Sequence, residues 1–221
     1  MQRHPAPRFV ILGGSFNPVH LGHVELARAL GSLPGVAQVL AIPAALNPFK
    51  GAERLLPART RWEMVRAAFA ELPKVAVLDV ELRRTPPSFT VDTVFELRSL
   101  YAKAEFAVAL GWDAYVDFAR WRAPERLLEV AGLIVVPRAG RTDAADPAAE
   151  APQCLPPEWE KRLIRSAPGE WKDETGRTVL ELLPLQLPDI SATRIWAESR
   201  WDLVPEPARA LLLEHLNPRP R

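Results

Sequence analysis

His20 and His23 stand three residues apart with Gly22 between them, directly after the run Gly13-Gly14-Ser15-Phe16-Asn17-Pro18. Imidazoles at that spacing share one face of a first helical turn, where they can donate to an anion or ligate a metal. Two glycines let a backbone take dihedrals and close approaches that a Cβ forbids. A helix starting here aims its unpaired N–H groups, and the positive end of its dipole, at whatever lies above the preceding strand. The combination reads as a phosphate cradle, with Gly22 leaving room for a flat ring or a ribose. A Gly-Gly pair alone is only a turn; the histidines give it chemistry. A zinc site would want more ligands, and of the other candidates His4 and His215 lie near the termini and Cys154 in the non-periodic stretch 138–157. Nor is the pattern the G-x-G-x-x-G of a dinucleotide-binding dehydrogenase.

The cradle needs a strand before it and a helix after it, and both are legible. Residues 8–12, Arg-Phe-Val-Ile-Leu, form an apolar β-prone run that stops at the glycines. Similar runs recur at 36–42, 75–80, 106–110 and 133–136, closed by Pro, Gly or a charge. Between them, residues 24–33, 59–72, 91–101 and 124–130 carry apolar side chains at helical spacing, as in Trp62, Val65, Ala68, Phe69 and Leu72. Strand alternating with helix predicts an α/β fold with a doubly wound, mostly parallel sheet, whose ligands sit beyond the carboxyl ends of the strands. Residues 138–157 have no apolar period and predict a mobile excursion, extending to about 177 with a short helix at 158–164 inside it. A last strand at 178–185 and two closing helices, at about 191–200 and 206–216, complete a single domain over 1–221.

Composition narrows the class. The chain has 221 residues, 48 % hydrophobic and 25 % charged, as in globular domains that bury a core. Lys plus Arg (28) nearly balance Asp plus Glu (27), so no global field captures nucleic acid or an anionic membrane, and any anion site is local. One cysteine precludes an internal disulfide, and no apolar leader or spanning run is present, so a cytoplasmic protein is expected.

The stretch from Gly13 to His23 resembles the HxGH signature of the nucleotidyltransferase superfamily. Other segments match in order along nearly the whole chain: Asn47-Pro48-Phe49-Lys50 with Arg61 and Met64, Ser88-Phe89-Thr90, Gly111-Trp112-Asp113, and Ile190-Ser191-Ala192-Thr193. Together they resemble the bacterial nicotinate mononucleotide adenylyltransferases. The resemblance implies a Rossmann-like fold and transfer of the adenylyl group of ATP to a pyridine mononucleotide, with Mg2+ accompanying ATP. The partners implied are ATP and the mononucleotide, with a homo-oligomer as an option. Related alternatives are the same transfer to nicotinamide mononucleotide or phosphopantetheine, or a nucleotide-binding regulator without turnover, although the intact His-x-Gly-His speaks against a regulator.

In that chemistry the attacking phosphate oxygen is already ionised, so no nucleophilic triad is needed, and rate comes from alignment and from donors around the α-phosphate. His23 is expected to be the main donor, with His20 beside it, each such contact contributing about 3 kcal/mol. The resemblance assigns ATP to Gly13, Gly14, Ser15, Phe16 and Gly22, to Lys50, to Gly111 and Asp113, to Arg138, and to Ile190, Ser191 and Thr193. Ser191 also reads as a plain N-cap. It assigns the mononucleotide to Asn47, Arg61, Phe89, Thr90 and Trp121, the last stacking on the pyridine, while Trp112 reads as packing. No dedicated metal-ligand cluster is expected, since phosphates and water hold most of a magnesium shell. Three positions depart from the family pattern: Asn17 for Asp, Phe49 for His and Trp196 for Arg. Residues 193, 196 and 200 fall on one stripe of a helix, which makes Arg200 the expected substitute cation, against a reading of Arg200 as solvated and Trp196 as packing.

Overall fold

A computed structural model of the protein describes residues 6–46, 55–85, 87–137, 151–185 and 187–217. The elements are β1 (Arg8–Gly14), α1 (Leu21–Ser32), β2 (Val36–Pro43), α2 (Ala58–Phe69), β3 (Val75–Val77), α3 (Thr90–Leu100), β4 (Glu105–Gly111), α4 (Trp112–Tyr115), α5 (Pro124–Val130), β5 (Gly132–Val136), α6 (Pro157–Glu160), β6 (Ile164–Ala167), β7 (Glu170–Lys172), β8 (Thr178–Leu182), α7 (Ala192–Glu198) and α8 (Glu206–Leu216). Hydrogen-bonded strands follow the order β3-β2-β1-β4-β5-β8-β7-β6. The pairings β2–β3, β1–β4, β4–β5 and β5–β8 are parallel, as the alternation of strand and helix predicts. Two compact units share β1: one holds residues through Ile11 with Thr90–Leu187, the other Leu12–Phe89 with Pro188–Arg221.

In the first unit β5 reads as a continuous apolar run with every residue buried, as expected of a parallel strand covered on both sides. The stretch expected to be an excursion is structured where it is described. Tyr115 Oη donates to the Ala151 carbonyl at 2.6 Å inside the core, the helix expected at 158–164 is the shorter α6, and β6 and β7 form an antiparallel hairpin that pairs onto β8. The hairpin turns at Pro168-Gly169, with Gly169 at φ 74°, the left-handed geometry that favours glycine at this turn position.

In the second unit α1 buries Val24, Ala27, Leu30 and Gly31 on one stripe. Helix α2 buries Arg61, Met64, Val65 and Phe69, and α8 packs on it. This face is rotated from the expected one. Trp62 is half-buried between the guanidiniums of Arg59 and Arg66, 4.8 and 4.6 Å from its ring centroid, while Arg61 takes the inward position. The strand expected at 75–80 ends at Val77, one residue before the last bond to β2, from Leu78 N–H to the Ala41 carbonyl, and a turn closed by Leu82 N–H on the Asp79 carbonyl follows.

Candidate active site

Strand β1 runs straight through Gly13 and Gly14, neither at positive φ. The chain instead turns at Phe16, at φ 45°, and across a cis Asn17–Pro18 bond before α1. A Cβ on Gly13 would meet no atom of the described residues within 4 Å apart from its chain neighbours, so a bound group can approach the backbone there. The Phe16 ring is buried and lies 4.8 Å from the His23 ring.

His20 is the N-cap of α1, with extended backbone, and His23 is its third residue. The rings stack at 3.7 Å and 28°. The His20 backbone N–H donates to His23 Nδ1 at 3.2 Å, so that nitrogen is unprotonated and Nε2 carries the ring's hydrogen. His23 is thereby a neutral donor through Nε2. His20 Nδ1 faces the His23 N–H in the manner of a capping box but makes no hydrogen bond of normal geometry, and Ser15 Oγ is likewise buried without a partner among the described residues. Burial lowers the His20 pKa to about 4. Two stacked imidazoles also resist double protonation. His20, expected as a donor beside His23, is therefore neutral at pH 7 until an anion beside it raises its proton affinity.

The space beside Gly22, expected to receive a ligand ring, is filled by the protein. A Cβ there would lie 3.1 Å from His20 Nδ1 and 3.8 Å from Ile190 Cβ. Gly22 thus allows the His20 ring to fold back over the helix start, and Ile190 belongs to the same cluster. Ser191 caps α7 by accepting the Arg194 N–H at 3.2 Å, and Thr193 is exposed in the first turn.

Arg61 is placed differently from its expected role. Only 1 % exposed, it donates from Nε to the Leu56 carbonyl, from Nη1 to Ser15 and Ala44, and from Nη2 to Ala45, at 2.7 to 3.0 Å. Four bonds consume most of the guanidinium's five donors, so Arg61 holds the backbone around the cradle rather than a phosphate. Asn47, Lys50 and Arg138 lie outside the described residues, as does Phe49.

In the other unit, Gly111 and Asp113 are exposed where β4 passes into α4. Thr90 begins α3, following half-buried Phe89 in the second unit. Trp121 is half-buried after a short 3-10 turn, its ring 5.4 Å from that of buried Phe118, and Trp112 is buried against Tyr115, as expected of a packing residue. Among the described residues no group of three or more His, Cys, Asp or Glu could hold a metal ion, and no helix is long and apolar enough to cross a membrane.

A family profile described as cytidylyltransferase-like matches residues 11–198. A protein of Geobacter metallireducens described as "Probable nicotinate-nucleotide adenylyltransferase" is 37 % identical, covering 92 % of this chain and 94 % of its own. The chain belongs to the cytidylyltransferase-like family, within its nicotinate-nucleotide adenylyltransferase branch. A relative of the same description from Thermus thermophilus is 41 % identical over 60 % of this chain and 70 % of its own. The fold is shared with Plasmodium falciparum nicotinic acid mononucleotide adenylyltransferase complexed with NaAD, at a TM-score of 0.68, 14 % identity and 96 % coverage of each chain.

The position where the adenylyltransferase branch is expected to carry arginine is filled here by an aromatic anchor. Trp196 Nε1 donates to the Asn17 carbonyl at 2.9 Å, and the ring meets Trp201 edge-on at 5.3 Å. Arg200 lies off the stripe on which the substitute cation is expected. Helix α7 ends at Glu198, Ser199 turns left-handed at φ 53°, and Arg200 pairs through Nε and Nη2 with Asp202 at 2.9 and 2.8 Å. The stripe through 193, 196 and 200 thus breaks before its last member. Arg194 pairs with Glu198.

His20 also sets a pH dependence. Its pKa is about 4 in the fold against an ordinary 6.5. The unfolded chain therefore binds the extra proton first, and the stabilisation is complete above pH 6.5 and declines as pH falls, by about 3 kcal/mol once pH reaches about 4. Urea unfolding over this range should show the decline, and His20→Asn should flatten it. Equal slopes in the two proteins would mean that the His20 ring is solvated.

Proposed function

We propose that the protein transfers the adenylyl group of ATP to nicotinate mononucleotide, in the cytoplasm. A phosphate oxygen of the mononucleotide attacks the α-phosphorus, the bond to the β-phosphate oxygen breaks, and pyrophosphate leaves with the electron pair. The observation that carries this reading is the fixed tautomer of His23. Its Nε2–H is a preorganised donor on a helix N-terminus, suited to charge developing on a transferring phosphoryl group. His20, stacked beside it, would bind the phosphates and take up a proton as they arrive. Gly13 gives the triphosphate access to the backbone, with the hydroxyls of Ser15, Ser191 and Thr193 as further polar contacts, while Gly111 and Asp113 are offered to the ribose. Lys50 and Arg138 would contribute charge, and Asn47, Phe89, Thr90 and Trp121 would receive the mononucleotide.

Magnesium, when bound, would neutralise phosphate charge. With no ligand cluster among the described residues, the ion would be carried by phosphate oxygens and water. The family assignment and the likeness of the relatives support the acceptor.

The test is pyrophosphate release from ATP and magnesium with nicotinate mononucleotide, nicotinamide mononucleotide or phosphopantetheine as acceptor. The first should react fastest. In Trp121→Ala its KM should rise by about 5- to 150-fold, a stacking loss of roughly 1 to 3 kcal/mol, with the KM for ATP nearly unchanged. Release with phosphopantetheine alone, or with no acceptor, would overturn the assignment.

A further inference from the structure

Phe16 holds a left-handed backbone, at φ 45°, with its ring buried beside His23. A non-glycine residue in that region is strained and persists only where its surroundings dictate it. The loop here is tied on both sides of Phe16. Arg61 Nη1 grips the Ser15 carbonyl at 2.7 Å, and the Leu56 N–H donates to Asn17 Oδ1 at 2.9 Å. The third tie is Trp196 Nε1, donating to the Asn17 carbonyl at 2.9 Å across 179 positions of sequence. It is the tie that joins the cradle to helix α7.

We propose that Trp196 is a positioning residue, whose indole N–H fixes the Asn17 carbonyl and so holds the strained Phe16–Asn17 turn that delivers His20 and His23 to the transferring phosphate. The inference rests on the proposed adenylyl transfer. Asn17 is only three residues before His20, so a freed Asn17 carbonyl lets the peptide planes ahead of the helix rotate, and the stacked rings lose their register against the substrate. The loss falls on kcat, because small misplacements of a donor weaken transition-state contacts more than ground-state binding. A phosphate ligand at position 196 would instead act on ATP binding.

The two functions of the ring can be separated. Trp196→Phe removes the N–H and keeps an aromatic ring against Trp201, whereas Trp201→Phe alters the ring contact and keeps the N–H. Trp196→Phe should lower kcat per folded enzyme by about tenfold, the worth of one buried hydrogen bond, and change the KM for ATP less than twofold. Trp201→Phe should keep the wild-type kcat. Equal kcat in wild type and Trp196→Phe, or equal losses in both variants, would overturn the proposal and leave Trp196 as packing. A rise in the KM for ATP at unchanged kcat would overturn it in favour of substrate contact. A wild-type protein that releases no pyrophosphate fails the adenylyl-transfer reading itself; the Trp196 proposal is then decided by proton exchange at the Trp196 indole N–H, which should be slow if the bond to Asn17 holds the turn and fast if it does not.

Discussion

His23→Ala should lower kcat by about 10²-fold or more while the affinity for ATP changes little, because the Nε2–H contributes mainly as charge develops on the transferring phosphoryl group. The alanine variant also removes the acceptor for the His20 N–H, which would loosen the start of α1. His23→Asn separates the effects: its side-chain oxygen can accept that N–H and restore the helix start, but it offers no donor at the place of Nε2. Recovery of thermal stability without recovery of turnover is the expected result. Near-normal turnover in either variant would remove His23 from the chemistry.

Arg61→Ala should act on the fold more than any other single change considered. It strands the buried Leu56 carbonyl and the half-buried carbonyls of Ser15, Ala44 and Ala45, and opens a cavity beneath the cradle. A loss of about 4 kcal/mol is expected, read as a fall in Tm of roughly 10 °C for a chain of this size. Arg61→Lys keeps the charge but cannot reach four carbonyls at once and should fall between. If Arg61→Ala melted like wild type yet raised the KM for the mononucleotide, the guanidinium would be a substrate ligand after all.

Much of the architecture is legible in sequence because it rests on periodicity. The central strand β5 and the inner part of β4 are unbroken apolar runs, and the helix after β1 is marked by its histidines. The face of α2 is misread by one residue because hydrophobic spacing ranks Trp62 above Arg61. A cation can face inward when carbonyls replace its water, and no periodicity registers that exchange. The β6–β7 hairpin carried a signal, Pro168-Gly169, that its polar surroundings obscured. The end of α7 had none: Ser199 takes a left-handed backbone that usually announces itself as glycine, so the reach of Arg200 along the helix could not be judged. At the site, the motif identified His20 and His23, but the stacking, the tautomer and the Trp196 anchor depend on contacts between distant segments.

The crowding at Gly22 makes positions 20 and 22 a single unit of variation. With histidine at 20, a methyl group at 22 would press on an imidazole already stacked against His23, so the ring would have to give way. With a small residue at 20 the 3.1 Å contact would be gone, leaving an ordinary van der Waals approach to Ile190 Cβ at 3.8 Å. The two substitutions should thus be non-additive, each changing what the other costs, as neighbours in one packed cluster are. In chains that keep the stacked pair, the pair itself favours glycine between its members, before any substrate imposes a preference.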